Sequence, residues 1–158
     1  MNVLLPLLLF ASVLAAPAAP GTIDGHWILV EQTYERGANN LADLDRPLHL
    51  ELLRGPSGVT GRIWAGDDPG SAVPWPSFFS DRSVAALEVL ERVEGPGGEI
   101  MARYRVSVEP ETGFDLEVTE RYRTEDDGTL TGTMTVRFLT PGGDRGSYEL
   151  HRRFERAR

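Results

Sequence analysis

The sequence contains no cysteine and no lysine, and all 16 basic residues are arginine. The absence of cysteine excludes disulfide bonds, a thiolate nucleophile, covalent haem c attachment and a lipid-modified cysteine. The absence of lysine excludes Schiff-base catalysis and the phosphate-binding lysine of a P-loop. The signature motifs of α/β-hydrolases, dinucleotide-binding domains and zinc proteases are also missing, so no familiar catalytic pattern is present.

Positive charge is scarce, and the formal net charge is −8. An acidic surface argues against nucleic acid and against anionic membrane surfaces as partners. The negative charge is explained by the need for solubility. The acidic segments Asp67-Asp68 and Asp126-Asp127-Gly128 lack the ligand spacing of a calcium loop. We therefore expect no cofactor, no metal ion and no nucleic-acid partner.

The beginning of the chain has the layout of a secretory signal peptide. Residues 4–14 form an apolar run that is followed by small residues, with cleavage after Ala15 or after Ala18. The run of about 11 residues is too short to span a bilayer, which needs about 20. We therefore expect a signal peptide over 1–18 and a single domain over 19–158. Export without disulfides suits a bacterial periplasm or the extracellular medium.

The rest of the chain is predicted to form about eight β-strands separated by turns rich in Gly, Pro and Asp. Apolar and polar residues alternate with period two, which places one face of each strand in a core and the other in water. Asp127-Gly128 is a strong hairpin signal. The segment 83–93 fits either a helix or a strand, and its neighbours favour a strand. The predicted strands are 27–35, 47–54, 59–64, 83–93, 100–108, 114–123, 129–138 and 147–154.

A meander of such strands removes its exposed edges by closing on itself, which places the last strand beside the first. The outward face would carry Thr, Arg, Glu and Asp, whereas the outer face of a membrane barrel is apolar. The sequence therefore predicts an all-β, antiparallel up-and-down barrel of about eight strands. Its oligomeric state stays open.

Two features resemble a known family. Gly25-His26-Trp27 opens the first strand, and Arg152 lies near the end of the last strand on its inward face. They resemble the G-x-W motif of the lipocalins, in the calycin superfamily, and the arginine that packs over that tryptophan. The Thr-Asp-Tyr motif of the family is absent, which favours a short bacterial lipocalin-like domain. The resemblance implies structural roles for Gly25, Trp27 and Arg152.

Two roles for Arg152 stay open. Fatty-acid-binding proteins, which are also calycins, bind a ligand carboxylate with an Arg-x-Tyr in the last strand, and Arg152-Arg153-Phe154 partly matches this motif. Alternatively, Arg152 stacks on Trp27 through a cation–π contact and seals the barrel floor. The antiparallel pairing of the first and last strands favours the second role.

Glu120 lies on the predicted inward face of its strand, where an isolated carboxylate is costly unless it is paired. It is expected to pair with Arg152, to line a polar cavity or to reach water at the rim. Together with Glu31 and Glu91, two other acids predicted to face inward, it also suggests an acid–base site. Carboxylates scattered over several strands are more often rim or bridging residues, so no catalytic residue is assigned.

The longest irregular segment, 65–81, contains Trp75, Phe78 and Phe79. These aromatic side chains form either a lid over the barrel mouth or a plug of ordinary core, and neither interpretation is favoured.

The three histidines are all predicted to point outward. His26 and His151 are expected close together at the base of the barrel, with His49 toward the other end. Such a distribution does not give three metal ligands at one place, so surface histidines are the expected outcome.

The sequence therefore predicts an exported barrel that binds a small apolar or amphipathic ligand. Glu120 or Arg152 would orient the ligand, and Trp75 and Phe78 would contact it from the aromatic segment. The alternatives are a periplasmic protein-binding or inhibitor module that uses the loops at one barrel end, and a lumenal isomerase or cyclase. A fold alone does not choose among them. The predicted interior lining is Tyr104, Val118, Met134, Val136, Leu150 and Phe154.

Overall fold

The structure is a computed structural model that describes residues 21–34, 46–77 and 86–158. The expected signal peptide, 1–18, lies outside the described residues. Within them, no helix is long and apolar enough to cross a membrane. Two 3-10 turns, Pro69–Ser71 and Pro96–Gly98, interrupt the strands. The strands are β1 Gly25–Tyr34, β2 Leu48–Gly55, β3 Gly58–Ala65, β4 Val73–Trp75, β5 Ala86–Glu94, β6 Ile100–Glu109, β7 Phe114–Thr124, β8 Leu130–Thr140 and β9 Gly143–Arg156.

The nine strands of the described residues belong to one antiparallel sheet in the order β4-β3-β2-β1-β9-β8-β7-β6-β5. The last strand pairs with the first, as the sequence predicted, and the sheet curls into a half-barrel that is compatible with a lipocalin-like fold. The expected all-β, up-and-down architecture is confirmed. The additional strand is the short β4, which lies in the segment predicted to be irregular. β5 confirms the strand interpretation for the described part of 83–93.

The period-two pattern of the sequence places one face of each strand inside the half-barrel. In β6, for example, Ile100, Ala102, Tyr104 and Val106 are buried, and the residues between them are half-buried. β7 and β8 repeat this pattern with their even-numbered residues inward. Burial of this apolar face stabilises the fold by about 25 cal/mol for each Å² removed from water.

The interior packs as two clusters, one toward each end of the sheet. We call the end where β1 begins and β9 ends the base, and the opposite end the mouth. The mouth is only partly covered, since Tyr34, Phe114, Phe138 and Tyr148 are half-buried there. The base cluster includes Ile23, Trp27, Leu50, Leu52, Ile100, Leu130 and Phe154. The mouth cluster contains Tyr104, Val106, Leu116, Val118, Met134, Val136 and Leu150.

Two β-bulges reverse the face of the residues that follow them. Register shifts between Leu29 and Glu31 and between Val89 and Glu91 insert one residue into each strand. An inserted residue breaks the alternation, so the side chains after it change sides. The expectation that Glu31 and Glu91 face inward is therefore wrong, because both are exposed. They form ion pairs with the outward residues of neighbouring strands, Arg153 and Arg103.

The edges of the sheet, β4 and β5, approach each other without forming a ladder, and side chains of β5 connect them. We call this line the seam. At the base, the Val59 amide donates to Glu94 over 2.8 Å, and Arg54 forms a 3.1 Å ion pair with the same carboxylate. Further along, Arg92 donates to the Trp75 carbonyl over 3.1 Å and lies over its ring. Charged side chains thus connect the two edges at the seam, whereas backbone hydrogen bonds connect neighbouring strands elsewhere in the sheet.

The base is sealed by Trp27 and Arg156. The Arg156 guanidinium lies 4.3 Å from the centre of the Trp27 ring and donates to the carbonyls of Asp24 and Thr22 over 2.9 and 2.7 Å. Gly25 leaves room for it, since a Cβ there would lie 2.5 Å from Arg156 Nη1. The expected stacking of Arg152 on Trp27 is wrong. The sheet register places Arg156 opposite Trp27 and Arg152 opposite Gln32, further along β1.

We expect Arg156→Met to lower the free energy of unfolding by about 2 kcal/mol, because it removes a cation–π contact and two charge-assisted hydrogen bonds. Urea denaturation followed by Trp fluorescence measures the change. Arg158→Met removes an exposed arginine two residues away and is the matched control. Equal effects of the two substitutions would contradict the role of Arg156.

Candidate functional site

A buried carboxylate lies at the junction of the two interior clusters. Glu120 is only 1% exposed, and three donors point at its oxygens. The Tyr104 hydroxyl donates to Oε1 over 2.6 Å, and the Trp75 indole and the Tyr122 hydroxyl donate to Oε2 over 2.8 and 3.1 Å. Hydrogen bonds to a charged group in a low-dielectric interior are strong, which makes burial of this carboxylate tolerable.

The sheet geometry explains how these donors meet. Ala102 lies opposite Glu120 on the neighbouring strand, so Tyr104 is a diagonal neighbour on the same inward face. Tyr122 follows Glu120 by two residues, which returns its side chain to that face. Trp75 comes from β4, at the far edge of the sheet. The hydrogen bond between Trp75 and Glu120 therefore crosses the interior and holds the curled sheet together.

Arg152 supplies the positive charge of this site. Its Nε donates to Gln32 over 2.9 Å. Burial by itself lowers the pKa of Arg152, but the neighbouring Tyr122 and Glu120 outweigh it, so the pKa is raised and the guanidinium stays charged. The opposite charges of Arg152 and Glu120 attract and partly compensate each other, although the described residues include no ion pair between them. We call Glu120, Arg152, Tyr104, Tyr122, Trp75 and Gln32 the polar layer.

Gly132 makes the approach of these side chains possible. It lies between Tyr122 and Arg152 in the register of three adjacent strands. A Cβ at this position would lie 2.6 Å from Cε1 of Tyr122, so any other residue would displace the ring. The missing side chain lets an aromatic ring pack on the backbone of the neighbouring strand, as at other glycines in sheets.

Both tyrosines of the polar layer act as hydrogen-bond donors. Burial raises the pKa of Tyr104 well above 10, and the nearby Glu120 carboxylate adds to the effect. Burial and Glu120 also raise the pKa of Tyr122. Neither hydroxyl loses its proton near neutral pH, so each continues to donate to Glu120.

The residues predicted to contact a ligand fall on both sides of the polar layer. Val118 and Met134 are buried in the mouth cluster, whereas Phe154 is buried in the base cluster. Trp75 packs inside the half-barrel as a donor to Glu120. Phe78 lies outside the described residues. Gln32 and Tyr122 were not among the predicted site residues, although the inward position of Tyr122, two residues after Glu120, was a usable signal.

The mouth keeps apolar side chains in contact with solvent. Leu87 and Val89 lie opposite the inward residues Val106 and Tyr104, yet they are 36% and 43% exposed. The half-buried rings of Tyr34 and Tyr148 lie 5.9 Å apart at the same end. Within the part of the chain that the structure describes, the mouth half is thus apolar, partly open and bounded below by the polar layer.

The histidines are arranged differently from the prediction. His26 and His49 are hydrogen bonded, with 2.9 Å between Nε2 and Nδ1, and the Trp64 ring stacks on His49. The pairing of β1 with β2 places His49 diagonally beside His26 rather than at the other end. His151 lies opposite Thr33, far along β1 from His26. In the three described ranges, no group of three or more His, Asp or Glu side chains is arranged to hold a metal ion.

Comparisons of this chain with protein-family models, with curated proteins and with solved structures found no match. The geometry of the interior and of the surface is therefore the basis for assigning a function.

We expect Glu120→Gln to lower the free energy of unfolding by about 3 kcal/mol, because it replaces a buried carboxylate that accepts three hydrogen bonds and leaves the half-buried Arg152 without its counter-charge. Glu117→Gln on the same strand removes an outward carboxylate paired with the exposed Arg137 and should cost less than about 1 kcal/mol. Urea denaturation of both variants measures the difference. A loss no larger for Glu120→Gln than for Glu117→Gln would contradict the charge compensation.

We also expect stability to decrease as the pH falls from about 7 to about 5. Burial first, and the neighbouring His26 second, lower the pKa of His49 from 6.5, although Asp67 acts in the opposite direction. Unfolded His49 therefore binds its proton at a higher pH than folded His49. The contribution of neutral His49 to the free energy of unfolding is complete above pH 6.5. It is lost as the pH falls toward the pKa of His49 in the folded protein.

Urea midpoints across this pH range measure the slope. His49→Phe keeps an aromatic ring against Trp64 and should reduce the slope, whereas His151→Phe, at an exposed position, should leave it unchanged. An unchanged slope in His49→Phe would show that other groups cause the pH dependence.

Proposed function

We propose that this protein is an exported, lipocalin-like member of the calycin superfamily that binds a small apolar or amphipathic molecule. The N-terminal apolar run supports export to a periplasm or the extracellular medium. The ligand occupies the mouth half of the half-barrel, with its apolar part on the mouth cluster and its polar end toward Arg152 and Tyr104. The observation that carries this proposal is the incomplete cover, among the described residues, of inward apolar side chains above the polar layer.

Binding of such a ligand is favourable because it removes exposed apolar side chains from water. Contact with the half-exposed side chains of Leu87 and Val89 and with the aromatic rim removes apolar area from water at about 25 cal/mol per Å². An apolar site with few polar groups at one end is the usual design of a small-molecule site, because the polar groups set the orientation. The polar layer supplies such an end, since Arg152 is charged and only half-buried.

A protein partner is the second candidate, and one observation favours it. The edge strand β5 also exposes Val93, which lies opposite the outward Met101 and is 43% exposed. Apolar side chains on both faces of an edge strand suit docking of another chain. The isomerase or cyclase alternative has less support, because the Glu120 oxygens already accept three hydrogen bonds.

Val89 and Val93 distinguish the two candidates, because they are equally exposed on one strand but face opposite sides. We expect Val89→Arg to weaken binding of a fluorescent fatty acid about tenfold and Val93→Arg to leave it unchanged, since about 1.5 kcal/mol of apolar burial corresponds to a factor of ten. Circular dichroism and urea midpoints confirm that both variants are folded.

Native mass spectrometry of the full chain purified from its own host complements this titration. A co-purified small molecule that is absent from Val89→Arg would support the proposal. No bound mass together with no response to the fatty acid would contradict it. A co-purified protein that is lost in Val93→Arg but kept in Val89→Arg would favour the second candidate.

A further inference from the structure

A groove of about 430 Å³ lies on the outer face of the half-barrel, and its lining also includes Tyr122 and Arg152 of the polar layer. It runs across β7, β8, β9 and β1. Its lining is polar and combines guanidinium, hydroxyl, imidazole and carboxylate groups. The residues on which the following steps depend are Arg121, Thr133, His151, Thr33, Arg123 and Arg153.

The register of the sheet arranges the groove as two parallel rows. In the first row, Arg121, Thr133, His151 and Thr33 lie opposite one another on four successive strands. The second row, which begins with Arg123, is displaced by two residues along each strand. Neighbouring strands are about 4.8 Å apart, so a row spans about 14 Å, and the two rows are about 7 Å apart. These dimensions match a molecule of one or two sugar rings.

The charges in the two rows differ. Arg123 forms a 2.8 Å ion pair with Glu125, and Arg153 forms a 3.2 Å ion pair with Glu31, so the second row is internally neutralised. No carboxylate of the described residues forms an ion pair with Arg121. Its opposite residues on the two neighbouring strands are Met101 and Thr133, and its side chain is exposed. Arg121 is thus an available cation beside threonine hydroxyls.

We propose that this groove binds a small hydroxyl-rich molecule that carries one oxyanion, such as an acidic sugar. The oxyanion is held by the Arg121 guanidinium, whose planar donors match a carboxylate or a phosphate. Thr133, His151 and Thr33 continue the row and contact the hydroxyl groups. The carboxylates of Glu31, Glu99 and Glu125 also line the groove and accept hydrogen bonds from the hydroxyl groups of the ligand.

Amide NMR spectra of the full chain test this proposal with three probes at constant ionic strength, namely sodium glucuronate, inorganic phosphate and glucose. Glucuronate should shift the amides of Arg121, Thr133 and His151 in a saturable manner, and glucose should bind at least tenfold more weakly. A phosphate response larger than that of glucuronate would identify a phosphorylated ligand as the source of the oxyanion. Equal binding of glucose, or no saturable shift with any probe, would overturn the proposal.

Matched variants separate specific binding from a general loss of charge. Arg121→Gln should weaken glucuronate binding about tenfold, as expected for the loss of a charge-assisted hydrogen bond. Arg103→Gln, which changes an outward arginine of β6 outside the groove, should have no effect.

Thr133→Val should weaken glucuronate binding without loss of stability. Thr135→Val, outside the groove on the same strand, should leave glucuronate binding unchanged. Equal weakening by Arg121→Gln and Arg103→Gln would contradict the site. Because Val89 does not line the groove, Val89→Arg should not alter glucuronate binding.

Discussion

The interior of this protein depends on one buried carboxylate and its hydrogen-bond donors. Glu120 lies between two apolar clusters, beside the charge of the half-buried Arg152, and would be costly to bury without partners. Three donors from β4, β6 and β7 converge on the carboxylate, while Arg152 reaches from β9 toward Gln32 on β1. The polar layer therefore connects the edge strand β4 with β6, β7, β9 and β1. The layer fixes the curvature of the sheet, because hydrogen bonds require a particular direction. Apolar contacts have no such requirement and would define the curvature less precisely.

The same layer divides the molecule into a closed half and an open half. Below it, Arg156 covers Trp27 and completes the base. Above it, the side chains become progressively less covered toward Tyr34 and Tyr148. A uniformly apolar interior would collapse to fill its volume, since apolar cores pack to high density. The hydrogen-bonded polar layer limits that collapse. The resulting separation of a rigid base from a partly open mouth is the basis of the proposed function.

Most of the fold could be predicted from the sequence because a strand has a simple period. Alternation in β6, β7, β8 and β9 correctly placed Tyr104, Glu120 and Arg152 on the inward face. The errors arose where one residue was inserted. The bulges in β1 and β5 turned Glu31 and Glu91 outward, and no composition signal marks them. The contact of Trp27 with Arg156 depends on the register between strands over 120 residues apart in the chain, which periodicity does not determine. The hydrogen bond of Trp75 to Glu120 depends on a short edge strand whose sequence is typical of a loop.

The seam has a consequence for the size of the enclosed space. Every other pair of neighbouring strands is held by a ladder of backbone hydrogen bonds, and separating such a pair breaks many of them together. Among the described residues, the exposed side chains of Arg92 and Glu94 connect β5 to the opposite edge, and Glu94 also pairs there with Arg54. The hydrogen bond of Trp75 to Glu120 adds a link across the interior. A change in the width of the half-barrel therefore leaves all eight ladders intact, and salt weakens the charged contacts that oppose it.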